Sequence, residues 1–200
     1  MHPGEQWTCR RARVTDAAAL VAIYNESVDG GGHSPVLRAA GEGGMRHLIA
    51  TAQRQGWPLW VMLEQETVVG WALLRSIVWG PEVSRHVGDL WVYVARRWHG
   101  SGAAMQLVRN VYHAAMRSGF EAVTCWILGS NRRSLTLARA CRMERWGLLP
   151  RAARYGGHDD DVEIWGVWLD DERWLGYMDR LDARHVRRRA MLASRETTPG

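Results

Sequence analysis

The sequence contains no lysine; all 26 of its fixed positive side chains are arginines. A phosphate-binding loop of the Gly-Lys-Ser/Thr type is therefore excluded. A coding bias toward GC-rich codons is the simplest source of the skew. Cysteine is scarce. Cys9, Cys125 and Cys141 have neither metal-ligand nor redox spacing, and one of the three must stay unpaired. That pattern belongs to a reducing compartment. No apolar run approaches the roughly 20 residues of a membrane span. The opening MHPGEQWTCRRARV lacks the apolar centre of a secretory signal. The expectation is a soluble cytoplasmic protein. Internal repeats and linker-like stretches are also missing, so the 200 residues make one domain with a tail. Its expected bounds are 8–169, with a charged C-terminal helix and tail over 170–200.

What is present is a large apolar share, 46%, and twelve tryptophans against a formal charge of +5. The apolar share supports a real core. Tryptophan is rarely buried completely, so some of the twelve should line a surface or a pocket. The positive balance suits an anionic ligand and also permits nucleic acid. RHVRRR (184–189) offers the second option, but a solvated tail helix is the expected reading and nucleic acid is not an expected partner.

The apolar periodicity orders the chain. CRRARV reads as a first strand, and DAAALVAIYNESV as a helix capped by Thr15. DGGGHSP is a break, and GGMRHLIATAQRQG a second helix. LWVML and TVVGWALLRSIVW form a hairpin around EQE. DLWVYV is a strand leading into a helix that runs to about Ser118, and AVTCWIL is another strand. SNRRSLTLARAC is a short helix capped by Asn131. RWGLLPRAAR and VEIWGVWL close around the polar turn YGGHDDD. Hairpins give antiparallel pairs, whereas a strand-helix-strand unit needs a parallel one. The fold class is α/β (α+β): a mixed, mostly antiparallel central sheet flanked by helices. HDDD (158–161) reads as a turn, since consecutive residues do not converge on one metal ion. No metal site is expected.

The chemistry gathers at WVYVARRWHGSGAAMQLV (91–108). A glycine loop opening a helix points backbone N–H groups outward, and with the helix dipole they form an anion site. Arg96, Arg97 and His99 add positive charge. A dinucleotide fingerprint is excluded because its third glycine falls on Met105. A phosphate or pyrophosphate ligand is expected, and a plain tight turn is the alternative.

This stretch resembles the acyl-CoA loop of the GNAT superfamily of N-acetyltransferases, Arg/Gln-x-x-Gly-x-Gly/Ala. The register set by the strand lays it on His99-Gly100-Ser101-Gly102-Ala103-Ala104, with His99 in place of Arg or Gln. VTDAAALVAIYNESV, SNRRSLTLARACRM and LLPRAARYGGHDDDVEIWGVWL resemble, in order, the first helix, the Asn-x-x-Ser-x-x-Leu helix and the closing strands of the phosphinothricin acetyltransferase-like branch. The resemblance runs from about Arg10 to Leu169. It implies a GNAT-like fold, acetyl-CoA as acyl donor and a primary amine of a small molecule as acceptor, such as an amino acid or an antibiotic-like amine. Peptide or protein N-acetylation and a non-catalytic acyl-CoA-binding module are the alternatives. A homodimer is an open assembly state.

Within the resemblance, Asp89 is the expected general base, where the branch carries Glu, with Glu26 in reserve. The backbone of Val92, Tyr93 and Val94 is expected to supply oxyanion donors beside the acyl arm, in a gap where that strand splays from its neighbour. The loop residues 99–104 join Asn131 and Ser134 on the cofactor side. Arg96 and Arg97 meet CoA phosphates or lie as solvated charges. Tyr24, Asn25, His33 and Trp91 are the acceptor candidates, and Trp60 and Trp71 hint at an aromatic acceptor or at core packing. The departure is Ala138. Relatives carry Tyr or His there to protonate the leaving thiolate, and alanine cannot.

Overall fold

The computed structural model describes residues 7–29, 37–80, 82–155 and 157–196. Its seven strands form one sheet in the order β1-β2-β3-β4-β5-β7-β6. They are β1 (Trp7–Arg11), β2 (Leu59–Glu64), β3 (Thr67–Ser76), β4 (Val87–Val94), β5 (Ala122–Leu128), β6 (Glu144–Tyr155) and β7 (His158–Trp168). The helices are α1 (Ala17–Asp29), α2 (Glu42–Gln55), α3 (Ala103–Arg117), α4 (Arg132–Ala140) and α5 (Glu172–Glu196). Every neighbouring strand pair is antiparallel except β4 with β5. This is the mixed, mostly antiparallel sheet expected from the pattern. No helix among the described residues is long and apolar enough to cross a membrane.

Strand alternation splits the interior into two layers. Trp71, Leu73 and Tyr93 face Leu20, Ile23 and Ile49 of α1 and α2. Ala72, Leu74 and Val92 face Leu107 and Val111 of α3. The first turns of α5 deliver Trp174 and Met178 into that second layer, both almost fully buried.

Several local expectations shift. The first strand lies earlier, at Trp7–Arg11, paired with β2 from Trp7↔Glu64 to Arg11↔Trp60. Thr15 does not cap α1. It sits inside a 3-10 turn over Val14–Asp16, and Asp16 accepts the Arg13 amide at 2.7 Å. β3 stops at Ser76, leaving Val78 and Trp79 exposed. The polar run HDDD is strand, not turn: His158, Asp159 and Asp160 pair with Tyr155, Arg154 and Ala153 of β6, and two of its carboxylates add bonds across the hairpin. Asp159 pairs with Arg154 (2.7 Å), and Asp161 accepts the Arg151 amide (2.8 Å). No cluster of metal-ligating side chains occurs among the described residues. Asn131 caps α4 as expected, its side chain accepting from Ser134 N at 3.1 Å. The break around His33 and the chain end after Glu196 lie outside the described residues.

Candidate active site

β4 is the axis of the site. It pairs with β3 from Gly88 to Val94, but with β5 only from Val87↔Ala122 to Asp89↔Thr124. Beyond Asp89 the two strands part. Ala95 N donates to Val69 O on the β3 side (2.9 Å), and Thr124 Oγ1 donates to Gly88 O on the β5 side (2.9 Å). Alternation along the strand therefore turns the N–H groups of Val92 and Val94 toward β5, into the gap. Tyr93 N points to β3 and is not a gap donor.

Two clefts meet at this gap. The larger, about 1050 Å³, takes in Tyr24, Arg75, Asp89, Trp91 and Tyr93 and continues to Tyr112 and Ala138. The other, about 1000 Å³, lies before the N-termini of α3 and α4 and takes in Glu26, Arg96, His99, Gly100, Gly102, Arg132 and Arg133. Val92, Tyr93, Asn131, Ser134 and Leu137 line both. Each volume suffices for a drug-sized ligand.

In the larger cleft, Asp89 faces α1 with Arg75 paired opposite it on β3. Its Oδ2 accepts from Trp91 Nε1 (2.8 Å) and, more loosely, from the Arg75 guanidinium (3.4 Å). The guanidinium also lies 4.4 Å over the Trp91 ring. Burial pushes the Asp89 carboxyl above the usual carboxylate range, while Trp91 and Arg75 pull it back down. Tyr24 and Tyr93 are 5.0 Å apart, and Tyr93 stacks on Trp71 at 4.6 Å. Trp71 is core: fully buried, its Nε1 donates to Leu20 O. Trp60 packs partly buried against the core and lines neither cleft. Asn25 is turned to structure, its amide bonded both ways to the Ala40 backbone (3.1 and 2.8 Å).

In the second cleft, Gly102 caps α3 with φ +91°, and Gly100 has φ +77°. A Cβ built on either meets nothing within 4 Å. These glycines are thus required by backbone conformation and by open space beside it, not by packing. The cradle fits a phosphate-bearing group: first-turn amides of α3, flanked by Arg96, Arg132 and Arg133. Ser101 works inside the loop, its Oγ bonding Trp98 O and Ala103 N (2.6 and 3.3 Å). His99 bridges Val94 O (2.9 Å) and Arg133 (2.9 Å). Arg97 is exposed and lines neither cleft. Glu26 faces this side, where its Oε2 accepts the Arg96 amide at 2.6 Å. Among the residues lining the clefts, the sequence reading did not single out Arg75, Arg132, Arg133 and Tyr112. The first and last enter only through pairings distant in the chain, but the Arg132-Arg133 pair behind the Asn131 cap was a readable signal.

A family model described as the acetyltransferase (GNAT) family matches residues 36–142. The "Putative phosphinothricin acetyltransferase YwnH" of Bacillus subtilis (strain 168) is 25% identical over 168 residues, covering 80% of this chain and 97% of that protein. A ribosomal-protein-alanine N-acetyltransferase from Brucella melitensis superposes with a TM-score of 0.76 at 25% identity, covering 80% of this chain and 99% of the other. A GNAT superfamily phosphinothricin acetyltransferase from Sinorhizobium meliloti, in complex with AcCoA, superposes with a TM-score of 0.76 at 23% identity, covering 81% and 88%.

Proposed function

Because the chain belongs to the GNAT acetyltransferase family, we propose that it transfers the acetyl group of acetyl-CoA to the primary amine of a small molecule, with Asp89 as general base. The observation that carries this reading is the gap at β4. A basic, glycine-opened cleft enters it from one side and an aromatic cleft holding a largely buried carboxylate from the other. Three free cysteines support a reducing, cytoplasmic setting.

The donor substrate would be held by the α3 N-terminus and the arginines at the rim. The Val92 and Val94 amides then face the developing oxyanion, fixed before reaction by the sheet. On the acceptor side, an alkyl ammonium with a pKa near ~10.4 must lose a proton before it attacks. Asp89 takes that proton, directly or through a water, and Arg75 and Trp91 hold its carboxylate in place. Glu26 serves the reaction differently from a base, by fixing the turn that begins at Arg96.

Asp89→Asn keeps the size and removes the proton acceptor. Turnover at neutral pH should fall by roughly 10²- to 10⁴-fold, with CoA affinity nearly unchanged. The deficit should narrow as pH rises, because solvent then deprotonates the amine. In the wild type, the acid limb of kcat/KM should lie above the usual carboxylate range, since burial raises Asp89. A loss that is constant across pH assigns Asp89 an orienting role. The assay panel should hold free amines beside an alanine-terminated peptide, reporting CoA thiol release. Peptide-only turnover would replace the small-molecule reading. No turnover with intact CoA binding would make the chain a binding module.

A further inference from the structure

Four large apolar side chains on the wall of the larger cleft face solvent: Leu37, Val78, Trp79 and Trp126. Trp79 is 78% and Trp126 54% exposed. Apolar groups gathered at one opening mark a binding surface, whereas single scattered ones do not. The fold places them. Thr124 pairs with Asp89, so alternation puts Trp126 on the sheet face of Asp89, one side-chain place further along β5. It forms the bank of the gap opposite Trp91 and Tyr93, which share that face on β4. Val78 and Trp79 follow the end of β3, in the connection to β4. That connection is pinned. The buried Ser84 hydroxyl bonds the carbonyls of Trp79 and Gly80, and the Val83 amide bonds Gly80 O at 3.0 Å. A pinned backbone leaves less to be ordered when a ligand meets its indole.

The charges in the cleft narrow what that ligand carries. Among the described residues lining it, Asp89 is the one acid, and Arg75 and Arg154 are the cations. Both arginines are engaged. Arg75 turns Nε and Nη2 to Asp89 Oδ2 (3.4 Å each) and covers the Trp91 ring. Arg154 pairs with Asp159 (2.7 Å), beyond the Leu128↔Val162 pair, whereas Asp89 lies level with Thr124. The carboxylate of an amino acid sits on the carbon that bears its amine. With the amine at Asp89, that carboxylate would be pressed beside the Asp89 carboxylate, with Arg75 shared between the two. Like charges at that range repel, and a desolvated carboxylate without its own partner is costly. An ammonium on an apolar body meets the opposite situation. The acid attracts it, and aromatic surfaces lie behind it.

We propose that the acceptor is an arylalkylamine without a carboxylate beside the amine. Its amine meets Asp89, its ring lies between the Trp91 and Trp126 banks, and its outer edge reaches Trp79. The proposal rests on the acetyl-transfer reading above and names the substrate class of that same site.

Matched acceptors test it, with acetyl-CoA as donor and CoA thiol release as the readout. 2-Phenylethylamine differs from phenylalanine by the carboxylate and from ethylamine by the ring. Its kcat/KM should exceed that of either by roughly tenfold or more, the scale of one unpaired polar group or one buried ring. Trp79→Ala, at an exposed position, should raise KM for 2-phenylethylamine by roughly fivefold to tenfold, with kcat and KM for acetyl-CoA within a few-fold of wild type. Trp126→Ala should act in the same direction. Ethylamine has no ring to reach either indole, so both variants should turn it over as wild type does, whereas a merely structural role would lower its rate too. Phenylalanine used as well as 2-phenylethylamine, or a loss shared by ethylamine, overturns the arylalkylamine assignment and leaves the acetyltransferase reading standing. Unchanged amine kinetics in a variant whose dimer, by light scattering, has become a monomer also overturns it, because the exposed indoles then belong to a contact with a second copy. Wild type that binds acetyl-CoA and releases no thiol with any amine overturns both.

Discussion

Asp16 shows how much one carboxylate can hold. Arg10 meets it with two nitrogens (2.7 and 2.8 Å), and the Arg13 amide adds a third bond at 2.7 Å. Asp16 is almost buried and Arg10 about a third exposed, so only part of the ion pair escapes screening. Asp16→Ala should cost about 2 kcal/mol of stability in a urea melt at pH 7. The Arg10 hydrogen bonds hold the carboxyl below the usual range. The contribution is therefore fully present above the unfolded value near ~3.9 and is lost as pH falls through the lower folded one. The gap between wild type and variant should close across that window, and a gap that persists at low pH would mean the loss is packing. The position of Asp89 near the start of β4 was readable at this scale because it is local. Its partner Arg75 was not, since the chain must turn back over a separation of fourteen positions before the two meet. The bonds between the Asn25 side chain and the Ala40 backbone were likewise hidden, since they join residues fifteen positions apart.

Among the elements, the loop before α3 was the clearest in the sequence. The expected register put the critical glycine at 102, and Gly102 is the residue that caps α3 in the left-handed region. Gly102→Val should weaken CoA binding at least tenfold by calorimetry. A branched residue is strained at φ +91° and would fill the open side of the cradle. Far-ultraviolet circular dichroism should stay near wild type, because a Cβ there meets nothing within 4 Å. Unaltered CoA affinity would move the phosphate site elsewhere. Strand ends were less legible than strand centres. HDDD carries turn-like residues, yet the carboxylates of Asp159 and Asp161 extend the β6–β7 ladder through bonds to Arg154 and Arg151. Those bonds exist only once the hairpin has formed. The 3-10 turn at Val14–Asp16 was hidden for the same reason, since Arg10 must first reach Asp16.

At the scale of the whole molecule, the order of motifs carried the fold, and hairpin and crossover logic sorted antiparallel from parallel pairs. The anchoring of α5 was invisible, because Trp174 and Met178 reveal their burial only against a core built from the rest of the chain. A donor that binds the native state alone should raise the melting temperature as its concentration exceeds Kd by RT ln(1 + [L]/Kd). Excess acetyl-CoA should do so by several degrees in a thermal-shift assay, and neither the pyrophosphate-free pantetheine fragment nor free acetate should match it. Mechanically, the sheet is two plates joined by a short weld. The four strands β1–β4 and the three strands β5–β7–β6 share three paired residues, fewer than any other neighbouring pair. Under tension applied across the strands, that weld should tear first, and a ligand lying along the open part of β4 would act as a rivet.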